Sequence, residues 1–543
     1  MKSFWLPVCF LILLIQNSCD KEEPRSGSKN FTLTNLQVDA RPMSLRYSDV
    51  STSPQIVLSF SEPLNRQSAE ETITLGHTTG SVPLQFSFSN NDSTVTVSPG
   101  VALKFLSTYN FQISQELTSI NNKQFGSSTV VKLVTRIDES DKFTRISDEA
   151  LLDLVQQQSF KYFWDFAHPA SGMARERNTS GNIVSIGGSG FGIMAVIVAI
   201  EKKFITREEG VERLNKIVAY LEKADRFHGV WPHWADGNTG KVIPFSTKDN
   251  GGDLVETSFL VQGLLTFRQY LTPADTVGNN LIRRINTLWE AVEWDWYRKN
   301  NENVLYWHWS PNFNWDMNLP LYGYFEEQIT YFLAAASPSH SIPKVVYTNG
   351  YGKNGAIVKN NTYYGIKLPL ESPAPLFWVH YSYLGLDPHF SDDYANYWEQ
   401  NVNASRIHHA YCVSNPKKYA GYSDMCWGLT SSDNQNGYAA HSPGNDLGVI
   451  APTAALSSFP YTPQESMKAL QFFYYKLGDK LWGPYGFYDA FNLSEGWIAN
   501  SYLAIDQGPI IIMIENYRTG LLWDLFMSAP EVQNGMTKLG FQQ

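Results

Sequence analysis

The sequence DNGGDLVETSFLVQGLL, residues 249–265, carries the clearest information on both the fold and the chemistry of this chain. A glycine-containing loop leads into a helical pattern in which Phe259 and Leu264 share one apolar face. Asp253 suits the N-cap and Glu256 the third position of a capping box. Helical spacing also puts Glu256 on the apolar face, where a carboxylate is costly unless it has a partner or a function. We therefore expect Asp253 and Glu256 to serve the helix, an active site, or both.

Other stretches with helical periodicity extend on both sides of this one. They lie near residues 190–204, 209–223, 254–271, 280–298, 324–336, 389–401, 463–477 and 509–527. Long loops rich in Gly, Trp, Asn and Asp separate them, and no clean repeat period links them. This alternation predicts an all-α toroid, in which loops and inner-helix N-termini gather at one end and form a cleft.

Residues 30–137 have a different pattern, with short strands at regular spacing. Strand-like runs occupy 55–60, 93–97, 109–113 and 130–134, and turn residues interrupt them. This spacing predicts a small β-sandwich. The sequence IVLSFSEPLN, residues 56–65, resembles bacterial Ig-like domains. The segment lacks a catalytic constellation, so we expect it to act in spacing or docking, ahead of a catalytic domain over 147–543.

The first 18 residues resemble a lipoprotein signal. Lys2 precedes a short apolar run that ends before Ser18 and Cys19. We expect residues 1–18 to be removed, Cys19 to be lipidated, and residues 19–29 to link the body to the outer membrane. An ordinary secretory signal is the alternative. The acidic residues after Cys19 resemble the surface-export signal of Bacteroidetes lipoproteins, which predicts an envelope location, on the surface or periplasmic face, and outer-membrane glycan-uptake components as partners.

Composition excludes some classes of function. The net charge is −10 and lysines and arginines are scattered, so the chain has no basic stripe for nucleic acid. Cysteine and histidine spacing typical of zinc is missing, and we expect neither a metal nor a cofactor. Cys412 and Cys426 could form a local disulfide or remain buried thiols, and the sequence leaves both alternatives open.

A second acidic segment, GYFEEQI at residues 323–329, also begins an apolar helical pattern. Helical spacing puts Glu326 on the face of Ile329, whereas Glu327 points in a more polar direction, toward Thr330 and Tyr331. Glu326 is therefore the better candidate for a desolvated carboxyl with a raised pKa, as a general acid requires. We interpret Glu327 as a solvated or loop-facing charge.

A third acidic segment, IDQGPI, covers residues 505–510. Pro509 suits the first helical position, which predicts that Asp506 lies on the loop at the cleft end of an inner helix. Glu515 interrupts the apolar run that follows, and we interpret it mainly as a buried structural residue.

Aromatic loops precede all three acidic segments. Flat rings beside carboxylates and amides suit a pyranose, whose faces are apolar and whose edges carry hydroxyls. The repetition of this arrangement favours a sugar-binding cleft over simple loop packing. The candidate substrate-binding residues in these loops are Trp231, His233, Trp234, Trp309, Trp482, Tyr485 and Asp489.

Longer segments of the chain resemble the glycoamylase-like family, which includes the bacterial β-1,2-glucanases of glycoside hydrolase family 144. These segments are NGGDLVETSFLVQGLL (250–265), GYFEEQITYFLAAASPSH (323–340), NDLGVIAPTAALSSFP (445–460), GPYGFYDAFN (483–492) and YLAIDQGPIIIMIENYRTGLLW (502–523). The resemblance covers about residues 147–540. It implies an (α/α)6 barrel and hydrolysis of β-1,2-glucan or sophoro-oligosaccharides with inversion.

The resemblance further implies that Asp249, Asp253, Glu256 and Glu326 matter to activity. Our hypothesis makes Glu326 the general acid and Asp506 the base, while the other three carboxylates hold sugar hydroxyls. Further expected substrate contacts are Tyr324, His380 and Gln507.

This chain departs from its relatives at Phe325 and around His380, so endo or exo action stays open. An α-glucan hydrolase like glucoamylase and a non-catalytic surface glycan-binding lipoprotein are the alternatives.

Overall fold

The computed structural model describes residues 31–543, which divide into two compact units. The smaller unit comprises residues 31–45, 53–101 and 109–132, and the larger comprises 46–52, 102–108 and 133–543. The predicted signal segment, Cys19 and the 19–29 linker lie outside the described residues. Within the described part, every helix is too short or too polar to cross a membrane.

Two β-sheets occupy the region that the sequence predicted to be an Ig-like sandwich. Its elements are β1 (Leu33–Val38), β2 (Arg46–Val50), β3 (Ile56–Phe60), α1 (Arg66–Thr72), β4 (Ile73–His77), β5 (Gly80–Val82), β6 (Leu84–Ser89), β7 (Thr94–Pro99), β8 (Thr108–Ile113) and β9 (Thr129–Thr135). The strand orders are β1-β3-β7-β6 and β2-β9-β8-β4-β5. Alternate residues of β3 are fully buried, so its side chains obey the predicted period of two. All four predicted strand runs are confirmed.

The larger unit is mainly helical. Its helices are α2 (Asp148–Trp164), α3 (Ile186–Glu201), α4 (Arg207–Leu221), α5 (Leu254–Tyr270), α6 (Thr276–Glu290), α7 (Gln328–Ala336), α8 (Lys344–Asn349), α9 (Tyr397–Ser414), α10 (Pro452–Leu456), α11 (Pro463–Gln471), α12 (Leu477–Leu481), α13 (Ala504–Thr519), α14 (Leu521–Met527) and α15 (Pro530–Leu539). Short 3₁₀ turns cover Trp296–Arg298, Lys353–Gly355, Leu376–Val379 and Tyr381–Tyr383, and a π-helical turn covers Phe472–Lys476.

Short strands lie in the loops between these helices. They are β10 (Ile183–Ser185), β11 (Trp234–Asp236), β12 (Val242–Ile243), β13 (Gly252–Asp253), β14 (His308–Trp309), β15 (Val358–Tyr363), β16 (Ile366–Leu370), β17 (Ser431–Asn434), β18 (Gly437–Ala440), β19 (Trp482–Gly483), β20 (Gly486–Phe487), β21 (Phe491–Asn492) and β22 (Trp497–Ile498). Several of them, including β10, β11 and β17, line the cavity described below.

Helices α3 and α5 form the inner part of this unit. Helix α3 is buried from Ile186 to Ile200, as expected for a helix that is apolar on all sides. A Cβ atom on Gly190 would lie 2.2 Å from the Phe259 carbonyl oxygen, and one on Gly263 would lie 2.2 Å from the Gly190 carbonyl oxygen. The two backbones therefore touch, and this contact brings the N-terminal ends of α3 and α5 together.

Five predicted helix starts are wrong by four residues or more. Those expected near residues 190 and 280 lie at residues 186 and 276. The predicted helix at 389–401 begins at residue 397, where Asn396 caps it, and that at 324–336 begins at residue 328. Helix α13 begins at Ala504, so Pro509 lies inside it and Asp506 lies in its first turn. Helix α13 packs closely on α3, because a Cβ on Gly508 would lie only 2.5 Å from the Phe191 Cβ.

Candidate active site

A cavity of about 420 Å³ lies at the N-terminal ends of α3 and α5, within the size range of small-molecule sites. Carboxylates, one histidine and several aromatic rings face it. Its lining residues are Glu176, Arg177, Ser185, His233, Trp234, Phe245, Glu256, Phe259, Trp307, Glu326, Phe377, Tyr381, Ser431, Tyr438, Leu503 and Ile505. The structure thus brings carboxylates from two of the three acidic segments to one site, and the third segment contributes Ile505 to its wall.

Asp253 is the N-cap of α5, as predicted. Its Oδ1 accepts hydrogen bonds from the backbone N–H groups of Val255 (3.0 Å) and Glu256 (2.9 Å). Its Oδ2 accepts a hydrogen bond from His233 Nδ1 at 2.8 Å. Burial acts to raise the pKa of Asp253, but the hydrogen bond and charge of His233 hold this pKa below its ordinary value. Asp253 is therefore a buried carboxylate that both begins the helix and orients His233.

His233 lies among carboxylates. Burial lowers the pKa of this imidazole, yet the charge of Glu256 and the hydrogen bond to Asp253 outweigh burial and raise the pKa to about 9. Asp249 lies close by and places its Oδ1 2.8 Å from His308 Nε2. Among residues 31–543, His233, Asp249 and Asp253 have donor atoms within 4.8 Å of one another, a grouping that could hold a metal ion. The hydrogen bonds of Asp253 already engage both of its oxygens.

Glu256 binds the N-terminus of α3. Its Oε2 accepts a hydrogen bond from the Gly187 backbone N–H at 2.8 Å and lies 3.5 Å from Ser185 Oγ. The carboxylate thus satisfies an N–H group of a neighbouring helix instead of closing the predicted capping box on its own helix. Burial raises the pKa of Glu256, and the nearby Asp253 charge acts in the same direction, whereas His233 opposes it.

Glu326 is half-buried in the cavity wall, just before α7 begins. Its Oε2 has no hydrogen-bond partner among the described residues. The Ser382 hydroxyl donates a hydrogen bond to its backbone carbonyl and so fixes its main chain. Burial, with the charges of Glu256 and Asp253, raises the pKa of Glu326 to about 8. A protonated carboxyl therefore faces the cavity at neutral pH, which is the state that a general acid needs.

Glu327 is buried, which contradicts its interpretation as a solvated charge. Its side chain is 1% exposed and neither carboxyl oxygen has a hydrogen-bond partner within the part of the chain that the structure describes. Burial and the adjacent Glu326 raise its pKa well above the ordinary value. The helical period used for the prediction does not apply, because residues 323–327 precede the helix.

Asp506 is buried behind the cavity and pairs with a second carboxyl. Asp506 and Asp489 are each 2% exposed, and burial together with the charge of Asp489 raises the pKa of Asp506. The Asp433 backbone N–H donates to Asp489 Oδ2 at 2.6 Å. Burial and the mutual charge raise both pKa values, that of Asp489 to about 7. The pair therefore holds a shared proton near neutral pH.

An ion-pair network that the sequence did not indicate connects this carboxyl pair to the cavity. Arg177 Nε donates to both carboxylate oxygens of Glu176 at 3.1 Å, and its Nη1 lies 3.3 Å from both oxygens of Asp433. Ser501 Oγ donates to Asp433 Oδ2 at 2.5 Å. These residues come from three distant segments without periodic patterns, so no local sequence signal could have identified them.

The predicted aromatic loops contribute only in part. His233 and Trp234 line the cavity, and the first loop is thus a wall of the site. In the second loop Trp307 lines the cavity, whereas the predicted Trp309 packs against His228 and Trp296.

Other predicted substrate contacts lie outside the cavity wall. Trp231, His380, Tyr324 and Gln507 are each at most 3% exposed and bind neighbouring protein groups, such as the Leu221 carbonyl for Trp231 and Ser458 Oγ for His380. Trp482 and Tyr485 pack among other aromatic rings. The predicted roles of these residues in substrate binding stay predictions.

Cys412 and Cys426 are free, buried thiols in the structure. Of the two alternatives left open by the sequence, the structure therefore has the reduced pair.

Comparison with known families gives two matches. A family model named Glycoamylase, described as "Putative glucoamylase", matches residues 318–530. A model named Big_5, described as a bacterial Ig-like domain, matches residues 23–134.

Comparison with individual proteins points to related enzymes. An exo β-1,2-glucooligosaccharide sophorohydrolase (non-reducing end) from Parabacteroides distasonis is 48% identical over 419 residues, which are 73% of this chain and 58% of that protein. This chain thus spans 58% of the length of that curated relative. The solved endo-β-1,2-glucanase from Chitinophaga pinensis, in complex with sophorotriose and glucose, is 56% identical with a TM-score of 0.72, covering 74% of this chain and 99% of that one. The solved β-1,2-glucanase from Parabacteroides distasonis is 39% identical with a TM-score of 0.71, covering 94% of this chain and 72% of that one.

Proposed function

The chain belongs to the glycoamylase-like family, of the β-1,2-glucanase (glycoside hydrolase family 144) type, and we propose on this basis that it hydrolyses β-1,2-glucan or sophoro-oligosaccharides. The N-terminal region belongs to the bacterial Ig-like domains. The observation that carries the proposal is Glu326, a carboxyl in the cavity wall with a raised pKa and an oxygen left free of hydrogen bonds within residues 31–543.

Glu326 is the proposed general acid. At neutral pH it holds the proton that must reach the glycosidic oxygen as the bond breaks. Glu256 and Asp253 keep negative charge nearby, so the proton stays on Glu326 until a leaving alkoxide receives it. Trp234, Phe245 and Trp307 offer ring faces to the sugar in the same cavity.

Asp506 remains the proposed base, within a carboxyl pair. Because Asp489 and Asp506 share one proton, one carboxyl of the pair is available to accept a proton from the attacking water. Asp506 lies directly after Ile505, which lines the cavity. An inverting reaction, in which water attacks from the face opposite the acid, requires the acid and base carboxyls to be separated by about 6.5–9.5 Å.

We further propose that the helical domain is an (α/α)6 barrel. Helix α3 packs on α5, α5 on α7, and α7 on the turn Tyr381–Tyr383. His380 Nε2 lies 3.0 Å from Ser458 Oγ, just after α10, and α10 packs on α13, which returns to α3. This closed order supports six inner elements, with α2, α4, α6, α9, α11 and α15 outside them.

We propose a lipid-anchored envelope location for the protein. The sequence pattern before and at Cys19 supports this proposal. Incorporation of labelled fatty acid into the wild-type chain, and its loss in Cys19→Ala, would test the anchor.

The decisive experiment incubates the protein with linear β-1,2-glucan and, separately, with maltodextrin, and identifies the products by chromatography. We expect sophoro-oligosaccharides from the first substrate and no products from the second. Maltodextrin cleavage alone would favour a glucoamylase-like α-glucan hydrolase, and binding of either glucan without turnover would favour a glycan-binding lipoprotein. The Glu326→Gln variant serves as the control, because full activity in it would exclude Glu326 as the acid.

A further inference from the structure

A second cavity of about 560 Å³ adjoins the one that contains Glu326. We call it the outer cavity and define it by Asp433, Asn434, Trp497 and Asn500, together with Arg177 and Tyr438, which also line the first cavity. Tyr438 is 48% exposed and stands with Arg177 at the boundary between the two spaces. A ligand that leaves the first cavity past these two residues therefore enters the outer cavity.

The walls of the outer cavity are held in place by hydrogen bonds between separate loops. Arg177 binds Asp433 in strand β17, and Ser501 Oγ binds the same carboxylate. Asn492 in β21 donates to Gln435 Oε1 in the β17–β18 turn at 3.3 Å. These contacts connect the β17–β18 hairpin, the β21–β22 hairpin and the segment of Arg177, so the outer cavity is preformed.

The chemistry of this lining suits an uncharged, hydroxyl-rich ligand. Glu176 and Asp433 both neutralise Arg177, which leaves little net positive charge for a phosphate or a carboxylate. The half-buried Trp497 and the exposed Tyr438 offer rings, while Asn434 and Asn500 offer amides. Rings combined with amides can stack on pyranose faces and bind their hydroxyl edges.

We infer that the outer cavity binds glucosyl residues of a β-1,2-glucan chain that extends beyond the catalytic cavity, so that the protein favours long chains over short oligosaccharides. This inference rests on the proposed function, because it assumes that a glucan occupies the first cavity.

The test compares long linear β-1,2-glucan with short sophoro-oligosaccharides as substrates of a Trp497→Ala/Asn500→Ala variant. Both residues line only the outer cavity. We expect KM for the long glucan to rise about tenfold, as for the loss of a stacked ring and its hydrogen bond, with KM for the short substrate unchanged. Because Trp497 is half-buried, the single variant Asn500→Ala, at an exposed position, provides a second measurement if the double variant does not fold.

The matched control is Asn361→Ala/Tyr364→Ala, which removes an exposed amide and an exposed ring from the β15–β16 hairpin. This control should leave both KM values unchanged. An unchanged ratio of the two KM values in the outer-cavity variants would overturn the inference and leave the proposed function intact. Wild-type protein that cleaves neither substrate would refute the proposed function, and calorimetry with long glucan would then decide whether the outer cavity binds it.

Discussion

A methyl group at Gly187 should impair catalysis without removing any ionisable group. Gly187 lies in the first turn of α3 and donates its N–H to Glu256 Oε2 at 2.8 Å. A Cβ there would lie 2.6 Å from that same oxygen and 3.0 Å from a ring carbon of Phe259. Carbon does not approach a carboxylate oxygen this closely, so in Gly187→Ala the Glu256 carboxylate must move away from the helix N-terminus.

The size of the effect follows from the hydrogen bond that is lost. A hydrogen bond to a charged group contributes about 1.5–3 kcal/mol, and about 1.4 kcal/mol corresponds to tenfold. If Glu256 acts through this position, kcat/KM on β-1,2-glucan should fall by about 10- to 100-fold. Stability should change less, because better helix propensity gains about 1 kcal/mol while overpacking costs about 1–3 kcal/mol.

The assay measures initial rates on β-1,2-glucan and thermal unfolding of the same samples. Gly192→Ala is the matched control, since a Cβ there would lie 2.6 Å from a ring carbon of Phe163, an equally tight contact in the same helix but without a carboxylate. We expect this control to lose stability and keep its activity per folded molecule. Wild-type kcat/KM in Gly187→Ala would refute the reasoning, because Glu256 would then tolerate displacement.

Three further predictions concern ionisable groups. With the pKa of Glu326 at about 8, kcat/KM should fall roughly tenfold per pH unit above pH 8 as the acid loses its proton, and a pH profile that stays flat to pH 9.5 would contradict this. Below pH 8, Glu326→Gln should lose about 10²- to 10⁴-fold, and this deficit relative to wild type should shrink above pH 8. The pKa of His233 is raised to about 9 in the folded protein. The contribution of His233 to stability is therefore complete below its unfolded pKa, about 6.5, and disappears as the pH rises to about 9. Urea unfolding of wild type and His233→Gln should show a difference in the free energy of unfolding that shrinks over that pH window. Burial raises the pKa of the thiols of Cys412 and Cys426, so both should resist a thiol reagent until denaturant is added. Peptide mapping would locate any label, and rapid labelling of either residue in native protein would disagree with the structure.

The local elements of the fold could be predicted from the sequence because their signals are local. The alternation of apolar residues predicted strand β3, and the 3.6-residue period with Asp253 as a cap predicted helix α5 at its observed start. The placement of Glu326 on a buried wall also followed, although residues 323–327 precede the helix that was assumed. For Glu327 the same assumption failed, since only the packed loop determines its burial.

The assembly of the site was decided by tertiary structure. Glu256 binds the N–H of Gly187, from a helix that begins 70 residues earlier, and only the close contact of α3 and α5 creates that bond. Arg177 and Asp433 meet across 256 residues of sequence, and neither carries a periodic signal. The sequence by itself therefore determined which residues are buried along each helix and strand and which family the chain resembles. The tertiary structure decided which carboxylates share a cavity. The spacing of apolar residues indicates which side chains are buried, but it does not indicate which residues they pack against.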